Sequence, residues 1–176
     1  EIADRDWSSD VCSSDLIHDF DMARFFIPNI VEVYASGANV FSDDIKGLGD
    51  YDSAVVTLRG SKDELVTIIN SRHASYGYDQ RLEAFGSKGA LLATNVSPTT
   101  VKLYNDVTVE GRNPYMNFFL ERYAFSYARE LELFVEGIQT GKNNNPTFDD
   151  GRAALILADA ATESAKTGKA IKVNLK

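Results

Sequence analysis

The sequence predicts an α+β fold, in which helices pack on one face of an open, mainly antiparallel sheet. Short apolar segments follow one another between residues 31 and 109, and turns rather than helices separate them. After Pro114 the apolar side chains recur every three or four residues, which is the period of a helix. A run of strands followed by a run of helices is typical of α+β layers.

The first half of the chain holds one short helix and most of the strands. The helix is predicted over residues 19–27, where Pro28 ends it. Residues 31–41 partly alternate between apolar and polar side chains and predict a half-buried strand, and the polar segment 41–52 predicts a loop. The other segments with strand character are 53–58, 64–71, 81–85, 90–94, 101–104, 107–109 and, near the end of the chain, 170–173.

Two helices are predicted in the last third. One long helix begins after Pro114 and ends at Gly141, because aromatic and aliphatic side chains keep helical spacing between these two residues. Asp149 or Asp150 can cap the second helix, and Gly168 ends it.

Composition excludes several classes of protein. The 176 residues carry a net charge of −8 at pH 7, whereas nucleic-acid binding depends on clustered Lys and Arg, so we expect no nucleic-acid partner. No apolar run approaches the roughly 20 residues of a membrane span, so we expect no membrane partner. The single cysteine cannot form a disulfide framework, which favours a cytoplasmic protein.

Residues 1–16 differ from the rest of the chain. They are rich in Ser and Asp, hold the only Cys and the only Trp, and lack the basic start and apolar middle of a signal peptide. Residues 6–16 resemble a translated sequencing-library adapter, so we expect 1–16 to be non-native and 17–176 to form one domain. Five of the 26 acidic and one of the 18 basic residues lie in this segment, which leaves a net charge of −4.

His18 is the first candidate for chemistry. An imidazole titrates near neutral pH and can act as a general base, but a histidine on a short helix is often only a solvent-facing residue. Its neighbours Asp19 and Asp21 are most simply acids that stabilise the positive end of a helix. Two carboxylates and one imidazole within four residues rarely converge, so we expect no metal site.

The second candidate is the segment 76–81, which combines Tyr76 and Tyr78 with carboxylate, amide and guanidinium groups. Aromatic faces beside polar donors suit the hydroxyl groups of a polyol. The alternative is a strand with one wet face, on which such side chains are ordinary. The residues alone leave both interpretations open.

Four segments together strongly resemble the substrate-binding domain of the glucose-fructose oxidoreductase and inositol dehydrogenase family. The last of them is shared widely in that family, and the first two point more narrowly to its inositol 2-dehydrogenase branch. The segments are IHDFDMARFF at 17–26, NSRHASYGYDQRLEAFGSKGAL at 70–91, FFLERYAFSYARELELFV at 118–135 and DDGRAALILADAATESAKTGK at 149–169.

The resemblance implies a two-domain oxidoreductase that uses NAD and assembles as a homo-tetramer through the open face of its C-terminal sheet. The chain would then be the substrate-binding and oligomerisation domain, without the nucleotide-binding (Rossmann) domain. We therefore expect no cofactor-binding residue and no metal ligand in this chain.

The resemblance also implies roles for four residues. In the family, the histidine at the position of His18 is the general base that takes the hydroxyl proton, while hydride leaves the same carbon for the nicotinamide. Its partner is an Asp four residues earlier, where this chain has Ser14, so the chain itself is expected to be inactive. Tyr76, Tyr78 and Tyr123 match positions that line the substrate cleft, although ring packing on sheet or helix is the alternative for each.

The function implied for the parent protein is the NAD-dependent oxidation of myo-inositol to a keto-inositol. A related dehydrogenase of scyllo-inositol or of a sugar is the alternative within the same class. A stand-alone, non-catalytic module for polyol binding or assembly is the alternative in a different class.

Overall fold

The computed structural model describes residues 16–143 and 145–176, and it divides the chain into two compact units. The first unit comprises residues 16–73 and Pro146–Lys176, and the second comprises Ala74–Asn145. The expectations for residues 1–15, including the absent acid at Ser14, lie outside the described residues. The elements in chain order are α1 Leu16–Phe26, β1 Ile30–Ala38, α2 Asp43–Gly47, β2 Ser53–Gly60, β3 Leu65–Ser71, β4 Leu82–Gly86, β5 Gly89–Ala93, β6 Lys102–Leu103, β7 Gly111–Arg112, α3 Phe119–Arg122, α4 Ala124–Thr140, α5 Phe148–Thr167 and β8 Ile171–Lys172.

The first unit is built on a four-stranded antiparallel sheet with the order β3-β2-β1-β8. Burial alternates along β2, where Ala54, Val56 and Leu58 face the core and the residues between them face outward. This alternation follows from the period of two in a strand, and it places one apolar face of the sheet inward. The α+β architecture with a mainly antiparallel sheet is therefore confirmed.

Helices α1 and α5 cover the inner face of this sheet. Phe20 from α1 and Leu157 from α5 are fully buried in one cluster with strand residues such as Val33. Leu16, which belongs to the adapter-like segment of the sequence, is the first described residue and is also fully buried in this cluster. The prediction that helices lie on one face is confirmed.

Helix α5 begins one turn earlier than its acidic residues suggest. Thr147 is the N-cap: its side chain accepts from the backbone N–H of Asp150, and the Asp150 carboxylate accepts from the backbone N–H of Thr147 at 2.8 Å. The predicted cap at Asp149 or Asp150 is therefore wrong, since Asp150 is the third residue of the helix and the other half of a capping box. Gly168 ends the helix in a left-handed conformation, as predicted.

The loop after β1 is organised by a buried carboxylate. Asp52 accepts from the backbone N–H groups of Val40, Phe41 and Ser42, at distances between 2.7 and 3.0 Å. Burial raises the pKa of this carboxyl, but these bonds and one from the Ser53 hydroxyl outweigh burial and lower it to about 2. The segment also contains the short helix α2, which the sequence interpretation assigned to a loop.

The second unit contains the hairpin β4–β5, the short pair β6–β7 and the helices α3 and α4. The strand predicted at 107–109 is wrong, because β6 pairs instead with Gly111 and Arg112 across a wider loop. In that loop the Asn105 side chain accepts from the backbone N–H groups of Val107 and Thr108, an Asx turn that competes with strand pairing.

The long helix predicted after Pro114 is interrupted. Its first part is the single turn α3, and Tyr123 then leaves helical geometry before α4 begins. Gly141 ends α4 as predicted, in a left-handed conformation. Within the described residues, no helix is both long enough and apolar enough to cross a membrane.

Candidate functional site

His18 lies on the exposed side of α1. Leu16 and Phe20, two residues before and after it, are fully buried. Because successive helical residues are rotated by about 100°, the imidazole projects away from the face that these two residues share. His18 is exposed, so its ring nitrogens are accessible to a small molecule.

The turn of α1 that carries His18 is fixed to the sheet by a polar contact. The Asn70 side chain on β3 donates to the Asp19 carboxylate at 2.8 Å. One turn later, Arg24 donates to Asp21 at 2.9 Å and to Asp150 on α5 at 3.2 Å. Both aspartates near His18 therefore hold the helix in place, and no group of three metal-ligating side chains occurs among the described residues.

In the second unit, Asp79 is the centre of the segment 76–81. Its carboxylate accepts from the Tyr76 hydroxyl, from Arg81 at 2.8 Å and from the Asn95 amide at 2.6 Å. Partial burial raises the pKa of Asp79, but these hydrogen bonds outweigh it and lower the pKa below its ordinary value. The same bond to Asp79 raises the pKa of Tyr76, so the pair persists over the physiological pH range.

Tyr76 also borders a shallow pocket within the second unit. The pocket has a volume of about 450 Å³, and the Tyr76 ring meets the Tyr115 ring edge to face at 6.1 Å. Asn95, Arg112 and Tyr115 line it as well. The sequence interpretation missed these three residues, because they are distant in sequence from the segment 76–81.

Tyr78 and Tyr123 are brought together in the same unit. Their rings meet edge to face at 5.8 Å, and the Tyr127 ring lies 6.2 Å from Tyr123 on the following helical turn. The Tyr123 hydroxyl donates to the side-chain carbonyl of Gln80, and the Arg122 guanidinium lies 5.6 Å from the Tyr123 ring centre. Tyr123 lies at the break between α3 and α4. The interruption that the sequence did not predict is therefore part of the candidate site.

The four predicted residues thus fall into two groups. His18 belongs to the first unit, whereas Tyr76, Tyr78 and Tyr123 belong to the second. Within the second unit, Tyr78 contacts Tyr123, and Tyr76 bonds to Asp79 instead. The arrangement offers an exposed base in one unit and an aromatic, hydroxyl- and amide-bearing surface in the other.

The described residues do not fit a dinucleotide such as NAD. A dinucleotide site needs a glycine-rich turn between a parallel strand and the N-terminus of a helix. Every strand pair among the described residues is antiparallel. These residues therefore provide no cradle for a pyrophosphate.

The antiparallel sheet with helices on one face agrees with a known class of enzyme domains. Residues 3–175 match the C-terminal alpha/beta domain of an oxidoreductase family. The chain belongs to this family.

Within the family, the chain is a homologue of inositol dehydrogenases. It is 44% identical over 158 residues to a myo-inositol 2-dehydrogenase of Thermotoga maritima, covering 89% of this chain and 47% of that relative. A crystal structure of a myo-inositol dehydrogenase from Corynebacterium glutamicum superposes with a TM-score of 0.92 at 56% identity, covering 96% of this chain and 50% of that one.

A more distant neighbour carries ligands. It is a scyllo-inositol dehydrogenase from Lactobacillus casei with bound NAD(H) and scyllo-inositol, which matches with a TM-score of 0.81 at 25% identity over 89% of this chain and 46% of that one. The chain therefore spans about half the length of the relatives that it matches.

Proposed function

We propose that this chain is the substrate-binding and oligomerisation part of an NAD-dependent inositol 2-dehydrogenase, which oxidises myo-inositol to a keto-inositol in the cytoplasm. The observation that carries the proposal is the identity of 44% and 56% to two myo-inositol dehydrogenases across nearly the whole described chain. An activity on a secondary alcohol also agrees with the candidate-site side chains among the described residues, which include the imidazole of His18 and several phenol and amide groups.

In this proposal, His18 is the general base. A base that removes a hydroxyl proton must reach its substrate, and the exposed imidazole of His18 meets this requirement. The hydrogen bond between Asn70 and Asp19 limits rotation of the turn that carries it. Tyr76, Tyr78 and Tyr123 are the proposed substrate-binding residues, which contact the polyol through ring faces and hydroxyl groups.

The direct test uses the complete gene. We expect the reading frame upstream of Ile17 to encode an Asp four residues before His18 and, further upstream, a strand, a glycine-rich turn and a helix. The protein expressed from that frame should reduce NAD with myo-inositol as the substrate. An upstream frame without a nucleotide-binding domain would instead support the stand-alone binding or assembly module.

The two histidines of the chain provide a matched pair for the catalytic role. His18→Ala in the complete protein should lower kcat at least a hundredfold, because general-base catalysis contributes about 10²–10⁴ in rate. His73→Ala should leave kcat within about twofold, since His73 stacks on Phe41 at the end of β3. Equal activities of the two variants would remove His18 from the mechanism.

NAD is proposed to bind the part of the protein outside this chain. The chain alone should therefore be inactive and should give no heat of binding with NAD in a calorimetric titration. Micromolar binding of NAD to the chain would contradict this assignment.

A second candidate substrate is scyllo-inositol, because the ligand-bound neighbour from Lactobacillus casei is a scyllo-inositol dehydrogenase. Turnover of myo-inositol, scyllo-inositol and an aldose by the complete protein distinguishes the candidates. No rate with myo-inositol would reject our choice.

Assembly as a homo-tetramer is proposed through the outward face of the first unit's sheet. Tyr34, Val55 and Ile69 on neighbouring strands are exposed on that face, and exposed apolar patches often mark interfaces. Light scattering of the chain should therefore show association, and a clean monomer at high concentration would count against this interface.

A further inference from the structure

Gln80 is held at both ends within the second unit. Its backbone N–H donates to the Asn95 side-chain oxygen at 2.7 Å, and its side-chain Oε1 accepts the Tyr123 hydroxyl proton. A long amide side chain without such contacts would sample several rotamers. Here the backbone of Gln80 is bonded to Asn95 in the loop, and its side chain is bonded to Tyr123 at the helix break.

The anchor on the loop side is itself part of a connected network. The amide nitrogen of Asn95 donates to Asp79 at 2.6 Å, and Asp79 also accepts from Arg81 at 2.8 Å. Each bond in such a chain polarises the next and strengthens it. The main chain at Gln80 is therefore fixed by a charge-assisted network rather than by a single contact.

The bond to Tyr123 determines what the phenol can do. A tyrosine hydroxyl has one proton, and that proton is directed at Gln80 Oε1. Towards a ligand the Tyr123 oxygen can then only accept. The carboxamide of Gln80 carries two N–H donors on its nitrogen, so the two side chains together present an acceptor beside a donor.

Such a pair is complementary to the hydroxyl groups of a polyol ring. A ring hydroxyl both donates and accepts, and two neighbouring hydroxyls can engage the acceptor and the donor at the same time. The Tyr78 ring, packed edge to face on Tyr123 at 5.8 Å, keeps the phenol in this position. An apolar alcohol with a single hydroxyl could use only part of this arrangement.

We infer that Gln80 is a specificity-determining residue for the polyol, and that it acts in two ways: its Oε1 fixes Tyr123 as an acceptor, and its Nε2 donates to a ring hydroxyl of the substrate. This inference rests on the proposed polyol-binding function. It gives the amide of the segment 76–81 a defined role within that function.

The experiment measures binding of myo-inositol to this chain by ligand-observed NMR titration. Gln80→Leu removes both the acceptor and the donors and should raise the Kd at least tenfold. Gln139→Leu is the matched control, because Gln139 is the chain's other glutamine and lies exposed on α4 of the same unit. It should keep the wild-type Kd. Equal circular dichroism spectra for the variants exclude unfolding as the cause.

Gln80→Glu separates the donor role from a purely structural role. A carboxylate still accepts from the Tyr123 hydroxyl but has no N–H to donate, so the Kd should stay at least fivefold above wild type. Wild-type affinity in this variant would show that Gln80 only supports Tyr123 and would overturn the inference.

A double-mutant cycle with Tyr123→Phe tests the coupling between the two residues. If the pair is coupled, Gln80→Leu should cost less in the Tyr123→Phe background than alone, because only the donor role of Nε2 remains to be lost there. Additive effects would overturn the coupling. If the wild-type chain binds myo-inositol and Gln80→Leu binds it with the same Kd, the inference about Gln80 is rejected and the proposed function stands. If no form of the chain binds myo-inositol, the proposed polyol-binding function is rejected together with the inference.

Discussion

The two units of the chain differ in how far their apolar side chains are buried. In the first unit, Phe20, Val56 and Leu157 are completely shielded from solvent by a sheet and two helices. In the second, none of the described residues is fully buried, and Phe125 and Leu131 on α4 are 83% and 67% exposed. The first unit therefore carries its own hydrophobic stabilisation, while the second presents apolar surface of the kind that other protein surfaces usually cover.

Buried polar contacts follow the same division. Asp52 and Ser164 are buried and fully engaged in the first unit. The second unit has exposed ion pairs, such as Lys102 with Glu110 and Arg129 with Glu132. Exposed pairs contribute little to stability because water and salt screen them. The comparison indicates that unfolding of this chain is governed by the first unit.

The largest expected effect comes from removing a core ring. Phe20→Ala should lower the free energy of unfolding by about 3–5 kcal/mol, because it deletes a fully buried side chain and leaves a cavity. The control is Phe125→Ala, which removes the same ring from an exposed position and should change stability by less than about 0.5 kcal/mol. Urea denaturation measures both. Equal losses of unfolding free energy would show that the core of the second unit contributes as much stability as that of the first.

A buried hydroxyl gives the next largest effect. The Ser164 Oγ accepts from the backbone N–H of Ala35 at 2.8 Å and donates to the carbonyl of Lys169 at 2.6 Å, so it joins α5 to β1. Ser164→Ala should cost about 1–3 kcal/mol, because the buried backbone N–H of Ala35 loses its partner away from water. Thermal unfolding of this variant beside Ser126→Ala, an exposed helical serine, gives the comparison. A neutral Ser164→Ala variant would mean that water replaces the hydroxyl.

Removing the N-cap of α5 should cause a smaller loss of stability. Thr147→Ala should reduce stability by about 1 kcal/mol, since it removes one half of the capping box of α5. Thr147→Ser retains the hydroxyl and should restore most of the stability in the same denaturant titration. If serine fails to rescue, the contribution of Thr147 lies in its methyl group rather than in the cap.

Protonation of Asp52 gives a stability effect that develops gradually with pH. The folded pKa of Asp52 is about 2, below its ordinary value of 3.8, so its contribution is complete above pH 5 and is lost as the pH falls through 2. Asp52→Asn should therefore be less stable than wild type at pH 7, and the difference should shrink towards pH 2. Denaturation midpoints at several pH values provide the measurement. A constant difference would show that ionisation of Asp52 contributes nothing.

The sequence predicts much of the first unit because its signals are local. Alternation along β2 and β3 and the turn residues between them determine the hairpin, and Pro28 and Gly168 mark helix ends. The cap at Thr147 was missed because two adjacent acids were the more obvious candidates. The short helix α2 was missed because its five residues are too few to show a period.

The candidate site was predictable only in part. The resemblance pointed to Tyr78 and Tyr123 separately, but their contact depends on the helix break at Tyr123, where the aromatic period continues without interruption in the sequence. The bond from Tyr123 to Gln80 spans 43 residues. No local pattern encodes a pairing at that separation, because it arises from how loop and helix pack.

The way the core is assembled has a consequence for synthesis of the protein. Arg24 bonds to a residue 126 positions later, and Ala35 to one 129 positions later. The helix that covers α1 and β1 thus leaves the ribosome long after them, and contacts so distant in sequence slow folding more than they weaken the folded state. The apolar face of the sheet stays uncovered while the nascent chain grows. For this protein, chaperones that bind exposed apolar strands during translation should determine the yield of folded protein more than the final stability does.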